Sequence, residues 1–372
     1  MSHEPLFERV ISGDSHVREP VDLWSKTLAS QLGDRAPHAV SEHGGRPGRF
    51  FFTGQRMSKH GVQETPDTER SEEEDLLTRA GFDPHVRIEF QRRAGIAAEI
   101  LYPSLMAQIM AIENAEVAQK SAQVYNDWIV EYVSADPKRL IAVAALPVHD
   151  IEWACTEIIR MTGRGCRGAL VNVVPPPGAR PYIDRAYDPL WAFCQDQHMP
   201  VILHIITGQE IDPLLYFHTA ADYTRAPRAM FAVWNEVQET VANDFIFGGI
   251  LDRFPGLNVL CGEYEISWIP HFMFRLDQLQ DDFAAYIKMP PLKMRASDYM
   301  RHRVFHGMID DPIAADVLPR VGANQVLWGS DFPHVRSIGL GTQGKLGEML
   351  SGLSRSDQVS IVGGNAARLF GL

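Results

Sequence analysis

A chain of 372 residues with 45% hydrophobic side chains can bury one large core, as a single domain with insertions or as two domains. Its 47 acidic residues outnumber 35 basic ones, and the resulting net charge of −12 excludes general affinity for nucleic acid or anionic membrane, because phosphate binding needs clustered Lys and Arg. No apolar run approaches the roughly 18 residues of a spanning helix. The opening Met1-Ser2-His3-Glu4-Pro5 lacks the layout of a signal peptide, and Cys155, Cys166, Cys194 and Cys261 have no metal-clip spacing, so a cytoplasmic protein with reduced, buried thiols is expected.

The first apolar run, Arg9–Gly13, leads into Asp14-Ser15-His16. On an extended strand the carboxylate and the imidazole, two residues apart, project to the same side and can grip one divalent cation. Further short apolar runs follow at Ala98–Tyr102, Leu140–Leu146, Gly168–Val173, Pro200–His204, Leu257–Gly262, Arg303–Met308 and Gln325–Gly329. Each is a continuous apolar run, as expected for a strand buried on both faces of a parallel sheet. Between them lie amphipathic stretches at Val117–Ser134, Trp153–Thr162, Pro189–His198 and Arg228–Leu251. Asp150 and Asp188, the latter followed by Pro189, read as helix caps.

Eight strands alternating with helices predict an α/β chain, a distorted (β/α)8 TIM barrel formed by residues 1–372 as one domain. An open doubly wound sheet is the competitor, but no glycine-rich βα turn is present to bind a dinucleotide. The first βα connection, from about Glu19 to Phe90, is too long for a plain turn. Residues 25–90 therefore read as an insertion after strand one, with a hairpin strand at Phe50-Phe51-Phe52-Thr53-Gly54 and an acidic stretch at Glu69–Asp75. Insertions after a barrel strand sit on the catalytic face, so a lid is expected.

Barrel active sites are built at the carboxyl ends of the strands. Strand one ends in Asp14 and His16, strand five in His204, strand six in Glu263 and strand eight in Asp331. Unpaired charges crowded at a barrel mouth repel one another and are costly to desolvate, and a divalent cation relieves both problems.

These residues carry a family resemblance. The stretches Gly13-Asp-Ser-His-Val-Arg-Glu-Pro-Val-Asp-Leu-Trp24, Ala98-Glu-Ile-Leu-Tyr-Pro-Ser104, Tyr125-Asn-Asp-Trp128, Ala186-Tyr-Asp-Pro-Leu-Trp191, Leu203-His-Ile-Ile-Thr-Gly208, Glu263-Tyr-Glu-Ile-Ser-Trp-Ile-Pro270 and Trp328-Gly-Ser-Asp-Phe-Pro-His334 span the chain in order. Together they resemble the amidohydrolase superfamily, in the branch of aminocarboxymuconate semialdehyde decarboxylase and related hydrolases, hydratases and decarboxylases. The resemblance implies that Asp14, His16, His204 and Asp331 are metal ligands, with Asp331 also orienting or deprotonating a metal-bound water. It implies cyclic or aromatic acids as small-molecule substrates and permits a homodimer. Where the semialdehyde decarboxylase has histidine after strand six, this chain has Glu263. That exchange adds a hard anionic oxygen, which biases the site from Zn towards Fe or Mn and makes Glu263 a ligand, a general base or a bridge between two metals.

Three readings of function follow. The first is metal-dependent hydrolysis or non-oxidative decarboxylation of a cyclic, aromatic or carboxylate-bearing small molecule, with Asp331, Glu263 and His334 as catalytic groups. The second is a non-haem diiron monooxygenase on the same fold, in natural-product biosynthesis, with His306, His271 or Glu99 completing a second metal site or supplying a proton. The third is a catalytically dead binding barrel. Around the ligands, Arg336 offers a bidentate contact to an anionic substrate or pairs with a surface carboxylate, and Trp24, Tyr102 and Trp268 line a pocket or fill the core. Glu19 either orients His16 or caps a helix.

Overall fold

The computed structural model describes residues 6–59, 70–208, 226–334 and 336–372. The eight expected runs form β1 (Val10–His16), β5 (Ile96–Tyr102), β6 (Leu140–Ala142) continued by β7 (Ala144–Leu146), β8 (Ala169–Val171), β9 (Val201–His204), β10 (Val259–Gly262), β11 (Val304–Met308) and β12 (Val326–Trp328). Every neighbouring pair is parallel, in the order β1-β5-β6 and then β7-β8-β9-β10-β11-β12, with only Val143 separating β6 from β7. The last strand meets the first through the residues just beyond it. Asp331 N donates to the Asp14 carbonyl (3.0 Å), His16 N to the Phe332 carbonyl (2.7 Å) and Ser330 N to Ser12 Oγ (2.8 Å). The sheet thus closes into the distorted (β/α)8 barrel, and the closing seam runs through the Asp-Ser-His triplet.

Gly329 makes that seam possible. A Cβ at this position would lie 2.3 Å from Asp14 Cβ and 3.1 Å from the Asp14 backbone, so only glycine lets the two strands approach. The first strand is longer than its apolar run suggests and takes in Asp14 and His16: His16 lies opposite Tyr102, and Asp14 falls in the irregularity between Ser12 and Ser15.

Three helical expectations shift. The helix beginning near Val117 spans Ala115–Val133, and Asp150 caps Ile151–Thr162 by accepting from Glu152 N (2.9 Å) and Trp153 N (3.2 Å). Asp188 does not cap its helix. It occupies the first turn of Asp188–Asp196 and takes Arg253 as an ion-pair partner at 3.1 Å. The stretch read as one helix over Arg228–Leu251 divides into an α-helix at Ala226–Thr240, a wider π-turn at Val241–Ile246 and a short helix at Ile250–Arg253, broken at Gly249 with φ +74°.

The insertion carries an antiparallel sheet, β2 (His38–His43), β3 (Arg46–Phe52) and β4 (Met57–Lys59), in which β3 holds the expected Phe50–Phe52 strand. Phe51 packs edge-on against Trp24, ring centroids 5.6 Å apart. Helices Glu72–Ala80, opened by a Ser71/Glu74 capping box, and Pro84–Ala94 lie against the end of β1, where Arg18 N donates to the Gly81 carbonyl (2.9 Å). Residues 60–69, including Glu69 of the acidic stretch and part of the expected lid, fall outside the described residues, as does the Met1–Pro5 segment. Among the described residues no helix is long and apolar enough to cross a membrane, and all four cysteines are free thiols, three of them buried.

Candidate metal centre

Five side chains meet at the seam. Asp14 and His16 extend from β1, His204 ends β9, Glu263 follows β10 and Asp331 follows β12. His16 Nε2 lies 3.4 Å from Asp14 Oδ1, 3.5 Å from Asp331 Oδ1 and 3.9 Å from Glu263 Oε2. His204 Nε2 lies 3.4 Å from Asp14 Oδ2 and 3.6 Å from Glu263 Oε2. Bonds of about 2.1 Å to one cation would leave neighbouring donor atoms roughly 3–3.4 Å apart; both 3.4 Å spacings match that, those at 3.5 and 3.6 Å lie just outside it, and all are longer than a good hydrogen bond.

Backbone geometry aims the donors. His16 Nδ1 lies 3.0 Å from the Pro103 carbonyl, and His204 Nδ1 lies 2.9 Å from the Ile205 carbonyl. A carbonyl can only accept, so both rings carry a proton on Nδ1, and in the neutral form the Nε2 lone pair turns inward, as a metal ligand needs. Glu263 (φ +64°) and Asp331 (φ +52°) sit in the left-handed region, sparsely used by residues with a Cβ, and there the chain turns sharply off the strand. Asp14 Oδ2 and His16 Nε2 are buried without a hydrogen-bond partner among the described residues, and Asp331 Oδ1 beside them has His334 Nδ1 at 2.7 Å. Buried polar atoms are normally satisfied, and two orphans converging with the Asp331 carboxylate on one point fit a divalent cation.

Without a cation, protons answer the crowding. Burial would push the His204 imidazole down, but the Asp14 and Glu263 carboxylates outweigh it and raise the ring to about 9. Burial, reinforced by the Asp331 charge, lifts Glu263 to about 8. Burial would also raise Asp14, yet the His204 charge, aided by the adjoining His16 and His204 rings, holds it well below the usual carboxylate range. Burial and the neighbouring His334 charge push His16 down to about 4.

The cluster has a closed side and an open side. The side chains of Asp14, His16, His204 and Asp331 are 2–3% exposed, whereas Glu263 is 25% and His334 35% exposed. His334 Nδ1 sits 2.7 Å from Asp331 Oδ1, its ring packs over His16 at 3.9 Å, and its Nε2 lies 3.1 Å from Ser104 Oγ. The Ser104 hydroxyl already donates to the Val17 carbonyl (2.8 Å), so its oxygen accepts from His334. Ser104 escaped sequence reasoning, although Tyr-Pro-Ser directly after β5 places it at the catalytic end of a strand.

Several expected site residues stand elsewhere. Glu99 is fully buried and bonded to Arg87 at 2.6 Å, so it is no second-metal ligand. His271 is exposed on the helix Ile269–Gln278. His306 turns out of the barrel, Nε2 donating to the Met300 carbonyl (3.1 Å) of the covering helix Ala296–His302. Trp24 is core, its Nε1 donating to the Ser121 carbonyl (3.0 Å). Trp268 bonds the Glu265 carbonyl (3.0 Å) and packs on Phe272. Tyr102 alone of the aromatic trio touches the cluster, its ring 5.0 Å from that of His204, and at 1% exposure it floors the site instead of lining an open pocket. Arg336 is exposed, and its charge is felt by Glu265. Glu19 caps the helix Leu105–Met110, accepting from Ser104, Leu105 and Met106 N, and leaves His16 to the Pro103 carbonyl.

Burial holds His306 at about 4, against 6.5 for a free imidazole, so the unfolded chain takes up a proton there before the folded one does. The associated stability is complete above pH 6.5 and is lost as pH falls towards 4, roughly 3 kcal/mol in all. The gap in unfolding free energy between wild type and His306→Gln is therefore expected to change in the variant's favour from pH 7 to pH 4. Parallel curves would show that His306 does not contribute.

Residues 62–372 match the profile of the amidohydrolase family. The chain is 27% identical over 304 residues to a gamma-resorcylate decarboxylase of Rhizobium sp., covering 77% of this chain and 86% of that one. It is 23% identical over 299 residues to the 2-amino-3-carboxymuconate-6-semialdehyde decarboxylase of Dictyostelium discoideum, covering 78% and 77%. Its fold is similar to an amidohydrolase from Mycobacterium avium subsp. paratuberculosis (TM-score 0.78, 21% identity, 98% of each chain). It is also similar to a dihydroxybenzoic acid decarboxylase from Polaromonas sp. with bound manganese and the inhibitor 2-nitroresorcinol (TM-score 0.67, 22% identity, 98% and 97%). With the family profile covering most of its length, the chain belongs to the amidohydrolase family and is a divalent-metal-dependent enzyme of it.

Proposed function

We propose that the protein removes carbon dioxide, without oxidation, from a hydroxylated aromatic or cyclic carboxylate at a single divalent cation held by Asp14, His16, His204 and Asp331, with Glu263 at its open side. The observation that carries this reading is the division of the cluster into buried donors with orphaned lone pairs and two partly exposed titratable groups, Glu263 and His334. The cation supplies Lewis acidity towards the substrate oxygens. The chain's own residues do the rest. The buried donors fix the orientation of the site, and Tyr102 closes it from below. Loss of carbon dioxide leaves an electron pair on a ring carbon, which needs one proton. Glu263 and His334 face the open side and deliver it, with Asp331 orienting His334 through Nδ1 and Ser104 through Nε2. The named activities of the gamma-resorcylate and carboxymuconate semialdehyde decarboxylases support carboxylate substrates.

A dinuclear oxygenase needs a second set of ligands. The candidates for it, His306, His271 and Glu99, lie elsewhere. The two ligand groupings at the seam, Asp14-His16-His204 and His16-Glu263-Asp331-His334, share His16, whose one Nε2 lone pair serves one ion. Metal analysis of protein purified without chelator, paired with carbon dioxide release from a panel of hydroxybenzoates, tests the proposal. About one manganese, zinc or iron per chain and stoichiometric carbon dioxide are expected. Two irons with oxygen uptake, or turnover of esters and amides without carbon dioxide release, would overturn it.

A further inference from the structure

Behind the metal centre, on the helix-facing side of β1 and β5, lies a buried ion pair that serves no surface role. Arg87, on the insertion helix Pro84–Ala94, and Glu99, on β5, are both fully buried. The guanidinium meets the carboxylate twice, Nε to Oε2 at 2.6 Å and Nη2 to Oε1 at 2.9 Å. Its remaining donors go to backbone carbonyls, Nη1 to His16 (2.9 Å) and Ala80 (3.5 Å) and Nη2 to Phe332 (3.3 Å). The Phe332 ring packs beneath it, 4.5 Å from the guanidinium carbon. On the carboxylate side, Ser15 Oγ donates to Oε1 (2.9 Å) and Gln91 Nε2 to Oε2 (2.8 Å). Ser15 Oγ also bonds Ser330 Oγ at 2.8 Å.

We propose that Arg87 and Glu99 are positioning residues that set the separation of the two arms of the metal centre, Asp14-Ser15-His16 and Ser330-Asp331-Phe332. Each arm alternates an inward ligand with an outward residue or carbonyl, and the ion pair holds the outward ones: Ser15 and the His16 carbonyl on one arm, Ser330 through Ser15 and the Phe332 carbonyl on the other. One rigid fork thus spans both sides of the seam and fixes the gap between His16 Nε2 and Asp331 Oδ1 at 3.5 Å. A lysine at 87 has the charge but no planar fork, and cannot reach both carbonyls and the carboxylate together. Stability alone does not call for the pair, since buried ion pairs are commonly replaced by apolar residues of similar volume without loss. The inference assigns part of the insertion to bracing the site, and it rests on the single-cation reading above.

The test is titration of metal-free protein with Mn(II), followed by calorimetry and by the electron paramagnetic resonance of the bound ion. The double variant Arg87→Met/Glu99→Leu is expected to unfold cooperatively near the wild-type temperature yet bind Mn(II) roughly 10–100-fold more weakly, with a broadened bound-ion spectrum. Arg87→Lys should fall between. Wild-type affinity and spectrum in the folded double variant would overturn the proposal. If that variant does not fold, Ser15→Ala cuts the carboxylate's links to β1 and, through Ser15, to Ser330, while leaving the pair and its bond to the His16 carbonyl intact. A weakened Mn(II) affinity there supports the proposal and an unchanged one overturns it. Wild-type protein that takes up no Mn(II), Zn(II) or Fe(II) would overturn the single-cation reading, and this inference with it.

Discussion

Asp331→Asn is expected to leave the barrel folded, to lower turnover roughly 10²–10⁴-fold and to weaken metal retention. The carboxylate is nearly fully buried, faces His16 Nε2 at 3.5 Å and holds His334 Nδ1 at 2.7 Å. Asparagine keeps the shape but removes the charge, so the centre loses an anionic donor and His334 loses the partner that holds its proton. Burial alone would push the His334 ring down, and the Asp331 hydrogen bond is the leading cause that raises it instead. The side chain is small and its backbone N–H still reaches the Asp14 carbonyl, so the fold has no reason to fail. Circular dichroism, metal content and carbon dioxide release on the same preparations check the three parts. Full activity in a variant of proven composition would remove Asp331 from the mechanism.

Gly329→Ala should be more damaging to the fold than its single methyl suggests. The added Cβ would meet Asp14 Cβ at 2.3 Å and the Asp14 backbone at 3.1 Å, contacts that no rotamer change relieves. Overpacking of this kind costs about 3 kcal/mol, and here the relief is for β1 and β12 to part. The carboxylates of Asp14 and Asp331 ride on those strands, so metal affinity should fall together with the unfolding midpoint. An alanine variant with wild-type stability and metal content would show that the strands are not held in this close approach.

The contrast with the sequence lies in which regularities are local. The barrel was legible because eight apolar runs of strand length need no partner to be recognised, and the ligand set because polar residues ending such runs have few other uses. Side-chain parity was equally available and excludes Glu99. In an extended strand that turns Tyr102 inward, a residue three positions earlier faces outward, towards Arg87. His306 needed knowledge of the helix Ala296–His302 that covers it, and Trp24 of the sheet carrying Phe51, contacts that chain order does not encode. Arg87 drew no expectation from the sequence, yet Arg87, Gln91 and Ala94 share one face of their helix, and all three are buried. The division of the Ala226–Arg253 stretch at Gly249 was signalled by Gly248-Gly249, which amphipathic periodicity outweighed.

The seam also sets when the site comes into being. Ser12 and Ser330 touch although they stand 318 positions apart in the chain, and the two arms of the metal centre meet only there. Contacts this distant in sequence form late, after the loop between them has been closed at an entropic cost. The metal centre is therefore complete only when the barrel is closed, and a chain lacking β12 and the residues after it does not present it. A bound divalent ion then acts as a clasp on the finished ring. An ion that binds only the closed state stabilises it by mass action, so removing the ion is expected to lower the stability of the completed barrel as well as its reactivity.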